Sequence, residues 1–188
     1  LRRTALTRYQ PYAKQQEFHN AAYRERLLMA GNQLGKSYSG GAEMAMHLTG
    51  LYPDWWEGLR FDKPIRAWAA SVTAEVTRDG VQRILLGEPS DSAAIGTGMI
   101  PGDKIVETKR RVNVPNAIAS VVVKHVSGGN SSLVFKSYDQ GREKFQADTL
   151  NLIWLDEEPP AEIYYESLTR TNATKGKVYM TFTPLKGM

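Results

Sequence analysis

The chain has 188 residues, of which 41% are hydrophobic and none is cysteine. This length supports one domain with a substantial core, and the lack of cysteine excludes disulfides, thiol catalysis and thiolate metal sites. The formal charge of +4, from 24 cationic and 20 anionic side chains, favours a polyanionic partner only weakly. Because no signal sequence and no run of about 18 apolar residues is visible, we expect a soluble intracellular domain without a membrane partner.

The first predicted elements surround a phosphate-binding loop. Residues 26–30 form a short apolar run typical of a buried parallel strand, and residues 38–48 have apolar side chains at helical spacing. Between these segments a small residue, four spacers and Gly-Lys-Ser give the relaxed form of the loop. Its residues are Ala30, Gly31, Asn32, Gln33, Leu34, Gly35, Lys36 and Ser37. A strand before the loop and a helix after it direct the positive end of the helix dipole towards bound phosphates.

The residue types of this loop match nucleotide chemistry. Glycines allow successive backbone N–H groups to turn around phosphates, Lys36 supplies a cation to the β and γ phosphates, and Ser37 offers a hydroxyl to Mg²⁺. The alternative is an ordinary Gly-Lys turn on the surface, which the flanking strand and helix disfavour. We therefore expect ATP and Mg²⁺ as the bound groups.

The remaining pattern alternates between strands and helices. We predict strands at residues 65–72, 117–126, 132–137, 152–155 and 177–183, helices at residues 73–86 and 161–170, and a loop at residues 89–102. The β-branched segments 117–126 and 132–137 read as a hairpin or as adjacent strands. The predicted fold is a three-layer α/β P-loop NTPase with a mainly parallel central sheet, helices on both faces and a hairpin-like extension, with its site at the carboxyl ends of the strands.

The second motif of the chain is acidic and follows the predicted strand at residues 152–155. Asp156 is expected to hold Mg²⁺ through its water shell, and Glu157 to orient and deprotonate the attacking water. The alternative is a buried strand that ends in a solvated acidic turn. The phosphate-binding loop upstream favours the catalytic interpretation, because the two motifs together complete an ATPase site.

Four segments in this order resemble the ATPase domain of the large terminase subunit of tailed bacteriophages. They are residues 9–19 (YQPYAKQQEFH), 30–37 (AGNQLGKS), 154–160 (WLDEEPP) and 181–187 (TFTPLKG), so the resemblance spans nearly the whole chain. It implies an ATP hydrolase that packages double-stranded DNA into a procapsid. The implied partners are a portal protein, a small terminase subunit and further copies of the chain in a ring, in the host cytoplasm and transiently at the procapsid portal.

The resemblance also implies roles outside the two motifs. Gln15 would read the adenine base, with Tyr12 as a flanking aromatic, although an exposed polar helix is the plain alternative. Thr181 and Thr183 would couple hydrolysis to movement, although threonine is also simply a good strand residue. Because terminases continue into a nuclease domain, residues 1–188 are expected to be an ATPase domain and a fragment.

The phosphate-binding loop departs from the family pattern at Asn32 and Gln33, where many terminases carry a cation. We expect the missing charge to come from Arg142, supplied to the neighbouring subunit of a ring, in preference to Lys144, because a guanidinium matches phosphate oxygens in two places. A solvated charged turn is the alternative for both residues.

Other features are predicted to be structural or solvated. The aromatic cluster at residues 52–56 should pack in the core, residues 109–111 (KRR) should be solvated, and His19, His47 and His125 lack metal-ligand spacing. Two alternative functions stay open: a helicase-like DNA translocase, and a nucleotide-gated assembly module that binds ATP without turnover. Glu157 argues against the second, because a binding switch needs no positioned water.

Overall fold

The fold is built on one seven-stranded sheet with the strand order β1-β7-β6-β2-β5-β4-β3. The computed structural model describes residues 4–30 and 35–184. The strands are β1 Glu25–Met29, β2 Arg66–Ser71, β3 Ile105–Arg110, β4 Ile118–Lys124, β5 Asn130–Ser137, β6 Leu152–Asp156 and β7 Lys177–Phe182. All pairings among β1, β7, β6, β2 and β5 are parallel, whereas β4 pairs antiparallel with β5 and with β3.

The predicted α/β fold with a mainly parallel sheet is confirmed, with two differences in detail. Strand β5 pairs with β2 and therefore belongs to the parallel core as well as to the predicted hairpin. Strand β3 was not predicted from the sequence. Its polar residues are mostly exposed, and it lies at the sheet edge, so it carries no apolar run that a sequence pattern would reveal.

Helices cover both faces of the sheet. They are α1 Ala5–Arg8, α2 Ala13–Asn20, α3 Lys36–Thr49, α4 Ala74–Thr77, α5 Arg83–Leu86 and α6 Ala161–Asn172, with a π-helical turn at Arg78–Gln82 joining α4 to α5. Helix α3 contributes to the core on one face, and α6 to a second cluster on the other. None of the described helices has the length and apolar character to cross a membrane.

Strand β6 lies near the middle of the sheet and is buried along its whole length. Leu152 and Trp154 belong to the cluster on the α3 face, whereas Ile153 and Leu155 belong to the cluster on the α6 face. Since both faces of the strand are covered, the apolar run is continuous instead of alternating. The strand therefore delivers Asp156 to the carboxyl edge on a rigid support.

Two glycines within α3 allow the helix to approach the sheet closely. A Cβ atom added at Gly40 would lie 2.6 Å from the Trp154 ring, and one at Gly41 would collide with the Ile84 side chain. The Trp154 ring also stacks on Tyr179, at 6.1 Å between centroids and 11° between planes. The close packing against Trp154 and Ile84 therefore accounts for glycine at these two positions, in spite of its low helix propensity.

A buried carboxylate ties α3 to the N-terminal segment. Glu43 is fully buried, forms an ion pair with Arg26 of β1, and lies 2.9 Å from His19 Nδ1 and 3.3 Å from His47 Nε2. Burial alone would raise the pKa of Glu43, but Arg26 and the two histidines outweigh it and hold that pKa well below its ordinary value. The charged Glu43 thus fixes α2 and β1 against the helix that follows the phosphate-binding loop.

We expect Gly40→Ala to destabilise the protein, although alanine is the better helix former. The propensity gain is about 1 kcal/mol, whereas overpacking against the rigid Trp154 ring costs about 1–3 kcal/mol. Denaturant unfolding should show a net loss. Thr169→Ala, on the exposed side of α6, is the control and should change stability by less than about 0.5 kcal/mol. A gain at Gly40 would contradict the close packing.

Candidate functional site

The candidate site lies at the carboxyl ends of β1, β7 and β6, where α3 begins. Gly35 adopts the left-handed conformation at φ +70° and precedes the first helical residue, Lys36. Its carbonyl accepts the first intrahelical bond, from Ser39 N–H at 2.9 Å. The amides of the first turn, which have no partner within the helix, therefore point out of its N-terminus. The predicted loop residues Gly31, Asn32, Gln33 and Leu34 lie outside the described residues, and Ala30 donates its N–H to Phe182 O at 3.4 Å.

The Asp156 carboxylate joins the two motifs that the sequence separates by more than a hundred residues. Its Oδ1 atom accepts hydrogen bonds from the hydroxyls of Ser37, at 2.7 Å, and Thr181, at 2.8 Å. Thr181 is the register partner of Asp156 on β7 and also accepts a bond from Trp154 Nε1 at 2.8 Å. The two predicted metal ligands, Ser37 and Asp156, and the predicted coupling residue Thr181 are thus joined at one oxygen atom.

The electrostatics of Asp156 fit a cation site. Burial raises the pKa of this carboxyl, and the hydrogen bonds from Ser37 and Thr181 oppose that rise. A buried carboxylate beside a hydroxyl offers the hard oxygen donors that Mg²⁺ prefers, with further positions left to water and phosphate. Ser37 and Asp156 are therefore the described residues best suited to hold such an ion.

Glu157 lies next to the predicted catalytic lysine. Its Oε1 is 4.0 Å from Lys36 Nζ, and its Oε2 accepts a hydrogen bond from Thr183 N–H at 3.4 Å. The Lys36 side chain is mostly buried, whereas the Glu157 carboxylate is 37% exposed and can reach water. This arrangement suits a group that orients a water molecule beside a phosphate-binding cation.

Tyr138 is a site residue that the sequence analysis missed. It follows β5 and donates its hydroxyl to the backbone carbonyls of Glu157, at 2.7 Å, and Asp156, at 3.1 Å. Its position directly after a parallel strand is only a general hint, because every residue at such a position lies near the carboxyl edge. Tyrosine drew no attention because it is also an ordinary core residue.

The predicted base-reading residues lie beside the end of the loop. Gln15 is buried at the start of α2, and its Nε2 would be 3.4 Å from a Cβ atom added at Gly35. Its Oε1 accepts the backbone N–H of Tyr12 at 2.9 Å, while the Tyr12 side chain is 73% exposed. The amide is thus held at the edge of the phosphate-binding segment, with an aromatic ring next to it at the surface.

Arg142 does not contact the site of its own chain. Its Nε lies 2.9 Å from Glu166 Oε1 on α6, and the guanidinium is about half exposed. Among the described residues, the Lys144 side chain forms no hydrogen bond or ion pair with a predicted site residue. Its backbone carbonyl accepts a hydrogen bond from Lys136 Nζ at 2.6 Å. The arrangement leaves Arg142 on the outer surface of the α6 layer, where a neighbouring molecule has access to it.

The residues predicted to be structural have packing and hydrogen-bonding roles. Trp56 is buried, and Tyr52 and Trp55 pack against the same cluster, as predicted. His125 lies 2.9 Å from Phe61 O and 2.7 Å from Ser127 Oγ. Among residues 4–30 and 35–184, no three His, Asp or Glu side chains come together as a metal-binding group.

Sequence comparison gives one family for this chain. The model of the family "Terminase large subunit, T4likevirus-type, N-terminal" matches residues 27–188. The chain is also 43% identical, over 202 aligned residues, to the large terminase subunit of Salmonella phage P22. That alignment covers 97% of this chain and 40% of the relative, so the chain spans less than half of the length of the curated protein that it matches.

Solved structures of phage terminases share the fold. The ATPase domain of the Thermus phage P74-26 large terminase, solved as a mutant, superposes with a TM-score of 0.59 at 19% identity, over 96% of this chain and 68% of that one. A large terminase from a thermophilic bacteriophage, in complex with ADP, gives 0.59 at 12% identity, over 92% of this chain and 39% of that one.

Asp156→Asn should stabilise the protein when nucleotide and metal are absent. Because burial raises the pKa of Asp156 in the folded state, the charged carboxylate is less favourable there than in the unfolded chain. The cost of the charge is therefore fully present above the folded-state pKa, and it fades as the pH falls through that value. Asparagine retains an oxygen for Ser37 and Thr181 without the charge. Thermal unfolding should show a larger gain at about pH 8 than at about pH 4, which is close to the ordinary pKa of an aspartate in the unfolded chain.

The exposed Asp54 provides the control for this pH dependence. Asp54→Asn removes the same charge in water and should leave the unfolding temperature nearly unchanged at both pH values. A loss of stability in Asp156→Asn at the higher pH would mean that the charged carboxylate is favourable in the folded state and that its burial is not the dominant effect.

Proposed function

Because this chain belongs to the family of the N-terminal region of T4-like large terminase subunits, we propose that it is the ATPase motor domain of a DNA-packaging machine. It hydrolyses ATP and couples this reaction to the translocation of double-stranded viral DNA into a procapsid. The observation that carries the proposal is the meeting of Ser37, Asp156 and Thr181 at one carboxylate oxygen, with Lys36 and Glu157 paired beside it. The ADP complex of a terminase with the same fold supports a nucleotide site.

Each residue has a defined task in this reaction. The amides at the start of α3 and the Lys36 ammonium bind the phosphates, and Ser37 and Asp156 would hold Mg²⁺, which neutralises charge on the phosphate oxygens when bound. Glu157 orients the attacking water and accepts its proton. Gln15 contacts the adenine edge, with Tyr12 beside it.

The coupling step follows from the contacts of β7. The Thr181 hydroxyl donates to Asp156, and the Thr183 amide donates to Glu157. A movement of either carboxylate would therefore act directly on the end of this strand. We propose that loss of the γ-phosphate rearranges these bonds and displaces the segment that follows β7.

The complete motor requires partners. We propose double-stranded DNA as the substrate that is moved, a portal protein and a small terminase subunit as partners, and a ring of identical subunits in the host cytoplasm, docked transiently at the procapsid. A nucleotide-gated module without turnover is the second candidate, and the pairing of Lys36 with an acidic residue that is open to water favours the hydrolase over it.

Variants of Lys36 and Glu157 should separate nucleotide binding from turnover. Lys36→Ala removes the phosphate-binding cation and should weaken ATP binding strongly, whereas Glu157→Gln should bind ATP but lose roughly 100-fold or more in turnover. Binding is measured with a fluorescent ATP analogue and turnover by phosphate release. Lys63→Ala and Glu162→Gln, both at exposed positions, are the matched controls. Full turnover in Glu157→Gln would reject the catalytic role of Glu157, whereas ATP binding without turnover in the wild type would favour the nucleotide-gated module.

Arg142 is proposed to supply the missing cation to the site of a neighbouring subunit. Its exposed position and its ion pair with Glu166 keep it out of its own site, and an arginine supplied in trans accelerates phosphoryl transfer by about 10³- to 10⁵-fold in other enzymes. Specific activity should therefore rise with protein concentration or on assembly, and Arg142→Ala should remove this rise.

A mixing experiment tests the direction of this contribution. Arg142→Ala subunits retain an intact nucleotide pocket, and Glu157→Gln subunits retain the donor arginine, so mixed rings of the two weakly active proteins should recover activity. Lys144→Ala is the control for Arg142→Ala, and it should be active by itself, without mixing. If mixed rings form but show no recovery, Arg142 does not act across the subunit boundary.

A further inference from the structure

We infer that Tyr138 is a positioning residue for Glu157 and that its hydroxyl holds the backbone of this acid in a left-handed conformation. The inference rests on the proposed role of Glu157 in hydrolysis. It adds a residue outside the two sequence motifs, supplied by the turn after β5 and reaching across the end of β2 to the end of β6.

The backbone of Glu157 is in an unusual state. Its φ angle is +69°, in the left-handed region that non-glycine residues rarely occupy outside turns. Such a conformation persists only where the surroundings determine it. Here the Glu157 N–H donates to Thr181 O at 2.7 Å, and its carbonyl accepts from the Tyr138 hydroxyl. The peptide units on both sides of the Glu157 Cα are therefore held in place.

The conformation also decides where the carboxylate goes. Asp156 is directed towards Ser37 and Thr181, as a residue of a regular strand, and the left-handed step that follows directs the next side chain towards Lys36 and the Thr183 amide. An extended residue at 157 would continue the alternation of the strand and point its side chain to the opposite face of the sheet. The turn at Glu157 thus brings two successive acids to one site.

Tyr138 is well placed to enforce this turn. It is 6% exposed, packs in the cluster on the α6 face, and bonds to the carbonyls of both acids. Burial raises the pKa of its hydroxyl well above the ordinary value, so the group remains a hydrogen-bond donor. Its own position is fixed by the turn after β5, where Gly141 N–H donates to Tyr138 O at 3.1 Å and Ser137 N–H to Gln140 Oε1 at 3.1 Å.

Removing only the hydroxyl should impair chemistry and spare binding. In Tyr138→Phe the two carbonyls lose their donor, and Glu157 is free to leave the left-handed conformation. Misplacing a catalytic group by about 1 Å costs on the order of 100-fold in rate, so kcat should fall roughly 10- to 100-fold. The affinity for ATP should change by less than about 2-fold, because Lys36 and Ser37 are untouched.

The deciding measurement is a double-variant comparison on the complete, assembled protein. Tyr138→Phe is introduced into the wild type and into Glu157→Gln, and kcat and ATP affinity are measured for all four proteins. If Tyr138 acts through Glu157, the second substitution adds no further loss to Glu157→Gln. Hydrogen exchange of the peptide that contains residues 156 and 157 should become faster in Tyr138→Phe, while the core strands stay protected. This measurement decides the question even if the residual ATPase rates of the variants are too low to compare.

Tyr179→Phe is the matched control, because it also removes a buried tyrosine hydroxyl that donates to a carbonyl, that of Gly40 at 2.7 Å. It should lose stability without slowing turnover comparably. Wild-type kcat in Tyr138→Phe, or losses that multiply in the double variant together with weakened ATP binding, would overturn the inference. Full activity in Glu157→Gln alone would instead reject the proposed role of Glu157 from which the inference starts.

Discussion

One carboxylate oxygen organises the carboxyl edge of this sheet. Asp156 Oδ1 accepts from Ser37, at the start of α3, and from Thr181, on β7, so a loop, a helix and two strands are fixed relative to a single atom. Burial makes the charged form of this carboxylate less favourable, which is why its pKa is raised. A group that is unfavourable in the folded state without ligand, yet fully hydrogen bonded, is typical of a site whose partner is a cation.

The opposite side of the phosphate-binding segment rests on a second buried carboxylate. Glu43 lies two turns into α3 and binds Arg26 of β1 and two histidines, one of them on α2, the helix that carries Gln15. Ser37 thus fixes helix α3 relative to Asp156, and Glu43 fixes it relative to the segment that carries Gln15. A rigid helix between these two anchors keeps its N-terminal amides in a fixed direction, which is what phosphate binding requires.

The site combines strong positioning with an apparent shortage of positive charge. Lys36 is the described cation next to Glu157, while Arg142 is engaged by Glu166 on the outer surface. In the proposed mechanism a neighbouring subunit supplies the remaining charge, which would tie hydrolysis to assembly. Thr181 and the Thr183 amide also bond to the two acids, so the end of β7 is in direct contact with both carboxylates.

The sequence by itself determined the fold class and the strand and helix on either side of the phosphate-binding loop, and it singled out Asp156 and Glu157 as candidates. These features depend on apolar runs and on residue types at short spacing. It did not find β3, whose exposed edge position leaves no apolar pattern. Glu43 and Tyr138 were also beyond it, since a glutamate within a helix and a tyrosine after a strand have no distinctive local signal. Their roles come from contacts with residues that are distant in the sequence. Glu43 lies 17 positions from Arg26 and 24 from His19, and Tyr138 lies 19 positions from Glu157. Only the tertiary structure decides such contacts, because they depend on the order of strands in the sheet and on which face each side chain occupies.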